Sequence, residues 1–296
     1  MPGRPVIKKL GTVDCDMVET TPVVFRDRLY RFEYVRQDYH ANMTGASYFR
    51  LVDMESGEFT PAFAADHHFG SAYVDDQAAF AYGVDVQGGP TIRGFRSDDL
   101  RDWSSQVAFH EPGWSIYNNS VCKGKEGYTM AIELNGPPEV VGVPFTMRFL
   151  QSEDLLKWRL TPSDRVFSKD RYTACPALRF FDDHYYMIYL EARPGRTFNP
   201  YIVRSRDLVH WESSPFNPVM HFSEEEDKRI ANPTLTREQR DLIANAVDIN
   251  NSDVDLCEFD GKTIIFYSWG NQKGIEFLAE AVYDGGLKSF LCGFFP

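Results

Sequence analysis

Short apolar runs alternate with polar turns along the chain, and each run is followed within a few residues by a second, aromatic-rich run. Pairs of runs joined by Asp, Gly or Asn turns are typical of antiparallel β-hairpins. Five such hairpins occur, with first strands that begin near Thr21, Ser71, Asn119, Cys175 and Val254. Each hairpin is followed by enough chain for two further strands. The pattern therefore predicts five repeated antiparallel sheets.

A seven-residue motif, S-x-D-L-x-x-W, occurs three times and marks the same place in successive repeats. Its copies begin at Ser97, Ser152 and Ser205, at intervals of 55 and 53 residues. The Ser and Asp side chains of this motif suit a turn, because they can bind backbone N–H groups, and the Leu and Trp side chains suit packing against the neighbouring sheet. We therefore interpret its Asp residues as turn formers. Antiparallel sheets repeated at this period predict a β-propeller.

The predicted fold is all-β, a five-bladed β-propeller that forms a single domain over residues 1–296. The step between blades four and five is longer than the other steps. Within it, Thr236 and Gln239 form a capping box that predicts a helix running to about Ala246. We interpret this helical insertion as a flap on the solvent side, with a lid over the functional site as the alternative.

Composition and charge narrow the classes of partner. Apolar residues make up 43% of the chain and charged residues 25%, which is typical of a globular protein. The formal charge is −12, which argues against nucleic acid or an anionic membrane as partner, because phosphate groups would be repelled. An uncharged substrate suits this charge better.

The termini and the cysteines add three expectations. No secretory signal or long apolar segment is apparent, so the expected location is cytoplasmic, or periplasmic or secreted if a leader has been removed. The five cysteines are widely spaced and odd in number, which favours buried free thiols over a disulfide framework. No spacing suggests zinc ligands, and no metal or cofactor is expected.

Candidate functional residues follow from the propeller geometry. The start of each innermost strand and the end of its neighbour lie on one face, so that residues from five blades converge on one pocket. The strand starts carry acidic, amide, histidine and tyrosine side chains: Glu19, His68, Tyr117, Asn119, Asp253 and Asp255. The ends of the second strands carry Glu33, Glu133, Glu191 and Trp269. We interpret the three glutamates as equivalent positions in three blades.

Converging carboxyl groups with nearby aromatic rings suit glycoside hydrolysis. One carboxylic acid protonates the leaving oxygen, and a second carboxylate activates water or attacks the anomeric carbon. Flat apolar faces for a sugar ring could come from the aromatic residues Trp269, Tyr117, Tyr39, Phe69 and Trp114.

Structural explanations compete with the functional ones. Each of the three glutamates could simply pair with an arginine such as Arg93, Arg148 or Arg193. His68 could line the central channel and bind water or a cation, but a histidine without matched ligands is weak evidence for a metal.

The three turn motifs, the inner strands that begin at Glu19 and Thr173, and the strand pair after Asp182 resemble the five-bladed β-propeller glycosidases. These comprise glycoside hydrolase families 43, 32 and 117 and the phosphorylases of family 130. The resemblance covers the whole chain and implies exo-acting cleavage of a plant, algal or microbial oligosaccharide. Families 43 and 32 place catalytic carboxylates where this chain has Thr21, Ser71 and Ala174, so their triad does not carry over residue by residue.

The predicted activity is that of a glycoside hydrolase, with two alternatives left open. The predicted acid/base residues are Glu19, Glu191, Asp253 and Asp255, and the predicted substrate-binding residues are Glu33, His68, Asn119, Glu133, Tyr117, Trp269 and Arg148. A glycoside phosphorylase would instead need cations for phosphate, with Arg93, Arg148, Arg204 and Lys273 as candidates. A non-catalytic carbohydrate-binding propeller is the other alternative, because the family triad is absent.

Overall fold

Five antiparallel sheets are arranged around one central axis in the computed structural model, which describes residues 3–36, 46–76, 78–195 and 197–296. The first strand is β1 (Lys8–Cys15). From the axis outwards, blade one is β2 (Thr21–Phe25), β3 (Arg28–Arg36) and β4 (Ser47–Asp53). Blade two is β5 (His68–Asp75), β6 (Ala78–Val84), β7 (Thr91–Ser97) and β8 (Ser104–His110).

The remaining three blades follow the same order from the axis outwards. Blade three is β9 (Ser115–Gly124), β10 (Gly127–Gly136) and β11 (Thr146–Ser152), with two short strands, β12 (Arg159–Leu160) and β13 (Val166–Phe167), both paired with β11. Blade four is β14 (Thr173–Phe181), β15 (His184–Arg193), β16 (Thr197–Ser205) and β17 (Trp211–Ser213). Blade five is β18 (Asn250–Phe259), β19 (Lys262–Gly270) and β20 (Phe277–Tyr283), with β1 as its outer strand.

The predicted five-bladed all-β fold is therefore confirmed, and two of its strands differ from the prediction. The N-terminal strand β1 pairs with β20, from Lys8 opposite Val282 to Cys15 opposite Phe277, so the two ends of the chain close the ring in one sheet. Within its described residues, blade one has three strands, and isolated bridges from Phe49 to Phe63 and from Val52 to Phe59 stand in place of a fourth. An N-terminal strand in the last blade is not visible in the hairpin pattern, because its pairing partner is distant in sequence.

Four helices occur in the described ranges: α1 (Pro138–Val141), α2 (Glu224–Asp227), α3 (Arg237–Asn245) and α4 (Leu287–Gly293). The capping box is confirmed, since Thr236 caps α3 by accepting from the Gln239 backbone N–H while the Gln239 side chain binds back to Thr236. Ile243 is buried, whereas Leu242 beside it is 39% exposed. None of the helices in these ranges is long and apolar enough to cross a bilayer.

The repeated turn is stabilised by its own side chains. In the second copy, the backbone N–H of Leu155 donates to Ser152 Oγ at 3.0 Å, and those of Leu156 and Lys157 donate to Asp154 Oδ1, each at 2.9 Å. The other copies repeat these bonds. The motif leucines adopt left-handed φ angles of 62° to 65° and are buried: Leu100, Leu155 and Leu208. Burial and the closed turn hold a conformation that bulky residues rarely adopt.

The tryptophan of each turn packs on an aromatic ring of the preceding blade. Trp103 of blade two stacks on Phe63 with ring centroids 3.9 Å apart. Trp158 of blade three meets Tyr82 edge-on at 5.7 Å. Trp211 of blade four stacks on Phe149 at 5.6 Å. The motif thus joins neighbouring blades, as its Leu and Trp residues predict.

We expect Asp154→Ala to destabilise the fold by about 1 kcal/mol, the usual loss when a side chain that caps backbone N–H groups is removed. The neighbouring Glu153→Ala is the matched control, since Glu153 is exposed and has only a surface ion pair with Arg159. Urea denaturation measures both free energies of unfolding. Equal effects of the two substitutions would contradict the role of Asp154 in the turn.

Candidate active site

A β-bulge recurs near the start of the inner strands and aims one side chain per blade at the axis. In blades two to five, two inner-strand residues lie opposite one residue of the second strand; in blade four, Cys175 and Pro176 lie opposite Tyr189. Such an extra residue bends a strand and redirects a side chain. The first bulge residue in each of these blades, and the corresponding residue of blade one, line a common cavity: Glu19, Phe69, Tyr117, Cys175 and Asp253.

Four of these five residues have left-handed backbone angles. The φ angles of Glu19, Phe69, Cys175 and Asp253 lie between 49° and 56°. This region is unfavourable for residues other than glycine, and it is found most often where the surrounding structure and a function require it. The shared strain shows that these four positions are structurally equivalent, although their side chains differ.

A second ring of residues forms the wall of the cavity, near the end of each second strand or in its connection to the third strand. One residue comes from each blade: Arg36, Gln87, Phe145, Leu190 and Gln272. The cavity has a volume of about 320 Å³ and also contacts Glu133, Asn118 and Tyr172. Its lining is mixed, with three carboxyl groups, several amides and aromatic rings. This is the composition of a site for a small polar ligand.

Glu19 places a carboxyl group in the cavity with one oxygen free of hydrogen bonds. Its Oε2 is buried and has no hydrogen-bond partner in the described part of the chain, and the nearest cation is Arg36 Nη2 at 3.7 Å. Burial raises the pKa of Glu19 to about 7; the Asp253 charge also raises it, whereas Arg36 and an Asn118 hydrogen bond lower it. About half of the Glu19 carboxyl groups therefore carry a proton near pH 7.

Glu133 is more tightly held than Glu19. Its Oε2 accepts from the Cys175 backbone N–H at 2.7 Å and from Asn118 Nδ2 at 3.1 Å. Burial nevertheless raises the pKa of Glu133 to about 8, with added contributions from the charges of Glu19 and Asp253. Its two donors fix the carboxyl group against blade four.

Asp253 completes the carboxyl cluster. Its Oδ2 accepts from Ser252 Oγ at 2.7 Å, and the Cys175 thiol also donates to this carboxyl group. Burial raises the pKa of the Cys175 thiol well above its usual value, and three surrounding carboxylates reinforce the effect. Cys175 is thus a neutral hydrogen-bond donor rather than a nucleophile.

The cavity narrows along the propeller axis. Below the carboxyl cluster, a constriction of about 30 Å³ is lined by Thr21, Ser71, Asn119 and Asp255, among others. This space is comparable to the share of one water molecule in the liquid. Beyond it, a second cavity of about 340 Å³ opens at the opposite face. A ligand the size of a sugar can enter the carboxyl cluster from only one side.

The structure brings four of the predicted site residues into the cavity: Glu19, Tyr117, Glu133 and Asp253. The ring of Tyr117 lies between Phe69 and Phe145, with ring centroids 4.9 Å and 5.0 Å away. Two further predicted residues, Asn119 and Asp255, lie in the constriction. The roles of these residues remain predictions.

Asp255 and Asn119 already have partners there. Arg179 Nη2 lies 2.5 Å from Asp255 Oδ1, which also accepts from the Leu256 backbone N–H. The Asn119 side chain accepts from Ser71 Oγ and donates to the Phe69 carbonyl. Both residues therefore hold the blades together around the axis.

The glutamates expected at equivalent positions separate into different environments, which corrects that prediction. Glu33 and Glu133 share the position next to the residues paired with Thr21 and Asn119, but Glu191 lies two residues further along its strand. Glu191 accepts from Tyr189 Oη at 2.9 Å, and the cavity is lined by Leu190 instead. Glu191 is therefore not equivalent to Glu133, and counting from the apolar runs does not show this offset of two residues.

Three other predicted substrate-binding residues are buried in the core and already contact other protein groups. Glu33 is fully buried and is bound by Arg31 at 2.5 Å and by Arg50 at 2.7 Å. Arg148 is buried and donates to the backbone carbonyls of residues 161, 162 and 165. Trp269 is 0% exposed, stacks on Phe277 and donates to a threonine hydroxyl in β1. Their assignment to substrate binding is corrected, because none has a face or polar group left for a sugar.

His68 and the other aromatic candidates also differ in position. His68 is 8% exposed, and its Nδ1 shares a hydrogen bond of 2.8 Å with Tyr34 Oη, behind the cavity-lining Phe69. Trp114 is buried, with the Arg148 guanidinium over its ring. Tyr39 lies outside the described residues.

The helical insertion does not line the carboxyl cavity in the part of the chain that is described. Instead, α3 and the segment 271–277 border a separate groove of about 780 Å³, with Leu242, Val247 and Ile275 among its apolar residues. The flap and the lid over the site both remain predictions.

The cations proposed for a phosphate site also lie elsewhere. Within the described ranges, none of Arg93, Arg148, Arg204 and Lys273 lines the carboxyl cavity. Arg204 forms a bidentate pair with Glu212, and Lys273 borders the groove beside α3. Their positions do not favour phosphorolysis.

Several residues of the cavity were not among the sequence-based candidates. Arg36, Cys175 and Gln272 line it, and Glu276 lies close enough to Asp253 for the two charges to interact. Cys175 could have been found from its place one residue before an inner-strand proline, the position that the bulge exposes. Gln272 and Glu276 lie in a loop without a repeated pattern, and no signal in the sequence marks them.

Comparison with known proteins identifies the fold. No protein-family model matches the sequence, and no curated protein matches it. Among solved structures, a glycosyl hydrolase from Bacteroides ovatus is 12% identical, with a TM-score of 0.59 over 96% of this chain and 91% of that chain. A thermostable family-43 glycoside hydrolase is 14% identical, with a TM-score of 0.53 over 75% and 70%.

A third similar structure is a xylan β-1,4-xylosidase from Bacillus halodurans C-125. It is 12% identical, with a TM-score of 0.56 over 94% of this chain and 53% of that chain, so the match spans about half of the xylosidase. At these identities the similarity is one of fold. The resemblance predicted from the turn motifs is confirmed at that level: the chain has the five-bladed β-propeller fold of family-43 glycoside hydrolases.

Proposed function

We propose that the protein is an exo-acting glycoside hydrolase in which Glu19 is the general acid and Asp253 is the second catalytic carboxylate. The observation that carries this proposal is the convergence of Glu19, Glu133 and Asp253, from blades one, three and five, on one axial cavity. Glycoside hydrolysis requires a proton donor and a carboxylate on either side of the scissile bond. The similar fold of solved glycoside hydrolases supports the same class of reaction.

Glu19 suits the role of proton donor. Burial raises its pKa to about 7, so about half of the carboxyl groups hold a proton at neutral pH and can release it to a leaving oxygen. Its unpaired Oε2 leaves room for a hydrogen bond from the acid to the glycosidic oxygen.

Asp253 suits the opposite role. It belongs to blade five, the neighbour of blade one in the closed ring, and lines the same cavity as Glu19. Hydrogen bonds from Ser252 and Cys175 orient its carboxyl group, which would activate water or attack the anomeric carbon. Glu133, fixed by Asn118 and Cys175, would supply a hydrogen bond to the sugar.

The shape of the cavity supports exo-action. The constriction of about 30 Å³ below the carboxyl cluster would block a glycan chain from passing along the axis. A terminal sugar would fill the closed end of the cavity, and the remainder of the glycan would leave through its mouth. Because one protein of similar fold is a xylan β-1,4-xylosidase, plant xylo-oligosaccharides are the first substrates to test.

Separate Glu19→Gln and Asp253→Asn substitutions should each lower kcat by about 10³-fold or more, because each removes a group that acts in the transition state. The matched control is Glu191→Gln, a residue outside the cavity, which should retain kcat within about threefold. Turnover is measured on 4-nitrophenyl glycosides, beginning with the β-D-xyloside, and on xylo-oligosaccharides.

Three results would count against this assignment. Loss of activity in Glu191→Gln with retained activity in Glu19→Gln would transfer the acid role to Glu191. Turnover that requires inorganic phosphate and yields a sugar 1-phosphate would identify a phosphorylase. Glycan binding by the wild-type protein without turnover on any substrate would identify a binding module.

The activity should decline as the pH rises through about 7, because Glu19 must be protonated to act as the acid and its pKa lies at about 7. Replacing Arg36 with Met removes a positive charge that lowers this pKa, so the alkaline limb of kcat/KM should move to higher pH. A pH–rate profile of both proteins tests the direction. A limb that stays in place or moves to lower pH would contradict the coupling of Arg36 to the acid.

A further inference from the structure

The loop between β19 and β20 brings one polar side chain into the carboxyl cavity from the outer part of blade five. Gln272 lines the cavity and has a left-handed φ of 59°. Its neighbours Asn271 and Lys273 instead border the groove beside α3. The position of Gln272 therefore depends on how this exposed loop is held.

Glu276 holds the loop from behind. Its side chain is 1% exposed, and its Oε1 accepts from the Gln272 backbone N–H at 2.6 Å. The backbone carbonyl of Glu276 accepts from the Asp16 N–H at 3.0 Å, which ties the same residue to the segment after β1. A buried carboxyl oxygen bonded to the backbone N–H of Gln272 fixes that residue better than exchangeable contacts with solvent would.

Gly270 makes space for this carboxyl group. A Cβ atom at position 270 would lie 2.6 Å from Glu276 Oε2, closer than any side chain tolerates. Oε2 itself is buried and has no hydrogen-bond partner among the described residues. Gly270 therefore leaves a space that fits the Glu276 carboxyl group, although this group has no ion pair among the described residues.

The charged group that faces Glu276 is Asp253. Burial raises the pKa of Glu276 to about 8; the Asp253 charge raises it further, and the backbone N–H groups of Gln272 and Asn271 lower it. Glu276 is therefore protonated at neutral pH, and its ionisation would place a second negative charge beside Asp253.

We propose that Glu276 is a positioning residue that holds Gln272 against the sugar bound at Asp253, which makes Gln272 a specificity-determining contact. This inference rests on the proposed function, in which Asp253 is a catalytic carboxylate. The Gln272 amide offers two donors and an acceptor, which suit the hydroxyl groups of a sugar. Ionised Glu276 would accept more strongly from the Gln272 N–H, but burial and repulsion from Asp253 oppose a charge in this position. We therefore expect ionisation to displace the loop that carries Gln272.

The kinetic test uses four variants on the aryl glycoside that the wild-type protein hydrolyses fastest. Gln272→Ala and Glu276→Ala should each raise KM by about tenfold or more, with kcat within about threefold, because each removes the same ground-state contact. The double variant should be no worse than either single variant by more than about twofold. Additive losses in the double variant, or an unchanged KM in Glu276→Ala, would overturn the inference.

Glu276→Gln is the matched control. Its amide oxygen still accepts from the Gln272 N–H, so KM at pH 6 should stay within about twofold of wild type. In the wild-type protein KM should rise as the pH passes through about 8, and Glu276→Gln should lack this rise, because it cannot ionise. A purely structural role for Glu276 would not alter the pH profile, so identical profiles would contradict the proposal.

Two measurements need no substrate and separate this inference from the proposed function. Hydrogen exchange of the peptide covering residues 270–277 should be faster in Glu276→Ala than in wild type and unchanged in Glu276→Gln at pH 6. Folded Glu276 keeps its proton up to about pH 8, whereas the unfolded chain releases it near 4.5, so stability falls as the pH rises across this window.

The melting temperature should therefore fall more steeply with pH in wild type than in Glu276→Gln between pH 5 and 8. If the wild-type protein is inactive but shows these effects on hydrogen exchange and on the melting temperature, the proposed function is overturned, whereas the role of Glu276 in holding the loop stands. An active protein without them would overturn only the role of Glu276.

Discussion

The candidate site depends on one backbone device, the extra residue near the start of the inner strands. A regular strand alternates its side chains between two faces and cannot aim a residue along the propeller axis. In blades two to five the bulge turns one side chain towards the axis, at the cost of left-handed backbone angles at Asp253 and others, and Glu19 takes the corresponding place and a left-handed angle in blade one. Because the device is repeated, residues more than 230 positions apart in sequence meet in one cavity.

The chemistry of the cavity follows from putting acidic groups in this confined place. Burial raises the pKa of Glu19 and of Glu133, and the charge of Asp253 raises both further. In such a cluster some carboxyl groups keep a proton while others stay ionised, and glycoside hydrolysis needs one group of each kind. The Arg36 charge and a hydrogen bond from Asn118 lower the pKa of Glu19 and so limit its rise to about 7. The carboxyl group can therefore exchange a proton near neutral pH.

The sequence predicted the fold better than the site, and the reason lies in the kind of signal each leaves. The S-x-D-L-x-x-W turns and the Thr236 capping box act locally, so they predicted the blades and α3. The site depends on register: in blade four Leu190 rather than Glu191 lines the cavity, and the apolar pattern does not distinguish the two positions. Glu276 acts through the conformation of the loop between β19 and β20, which no repeated sequence pattern predicts.

A crystal structure of the Glu19→Gln variant with a bound oligosaccharide substrate would decide whether the axial cavity is the active site. We expect the terminal sugar to fill this cavity, with the glycosidic oxygen at residue 19 and the anomeric carbon facing Asp253. An oligosaccharide bound only in the groove beside α3, or at the opposite end of the axis near Arg179, would show that the carboxyl cluster is not the catalytic centre.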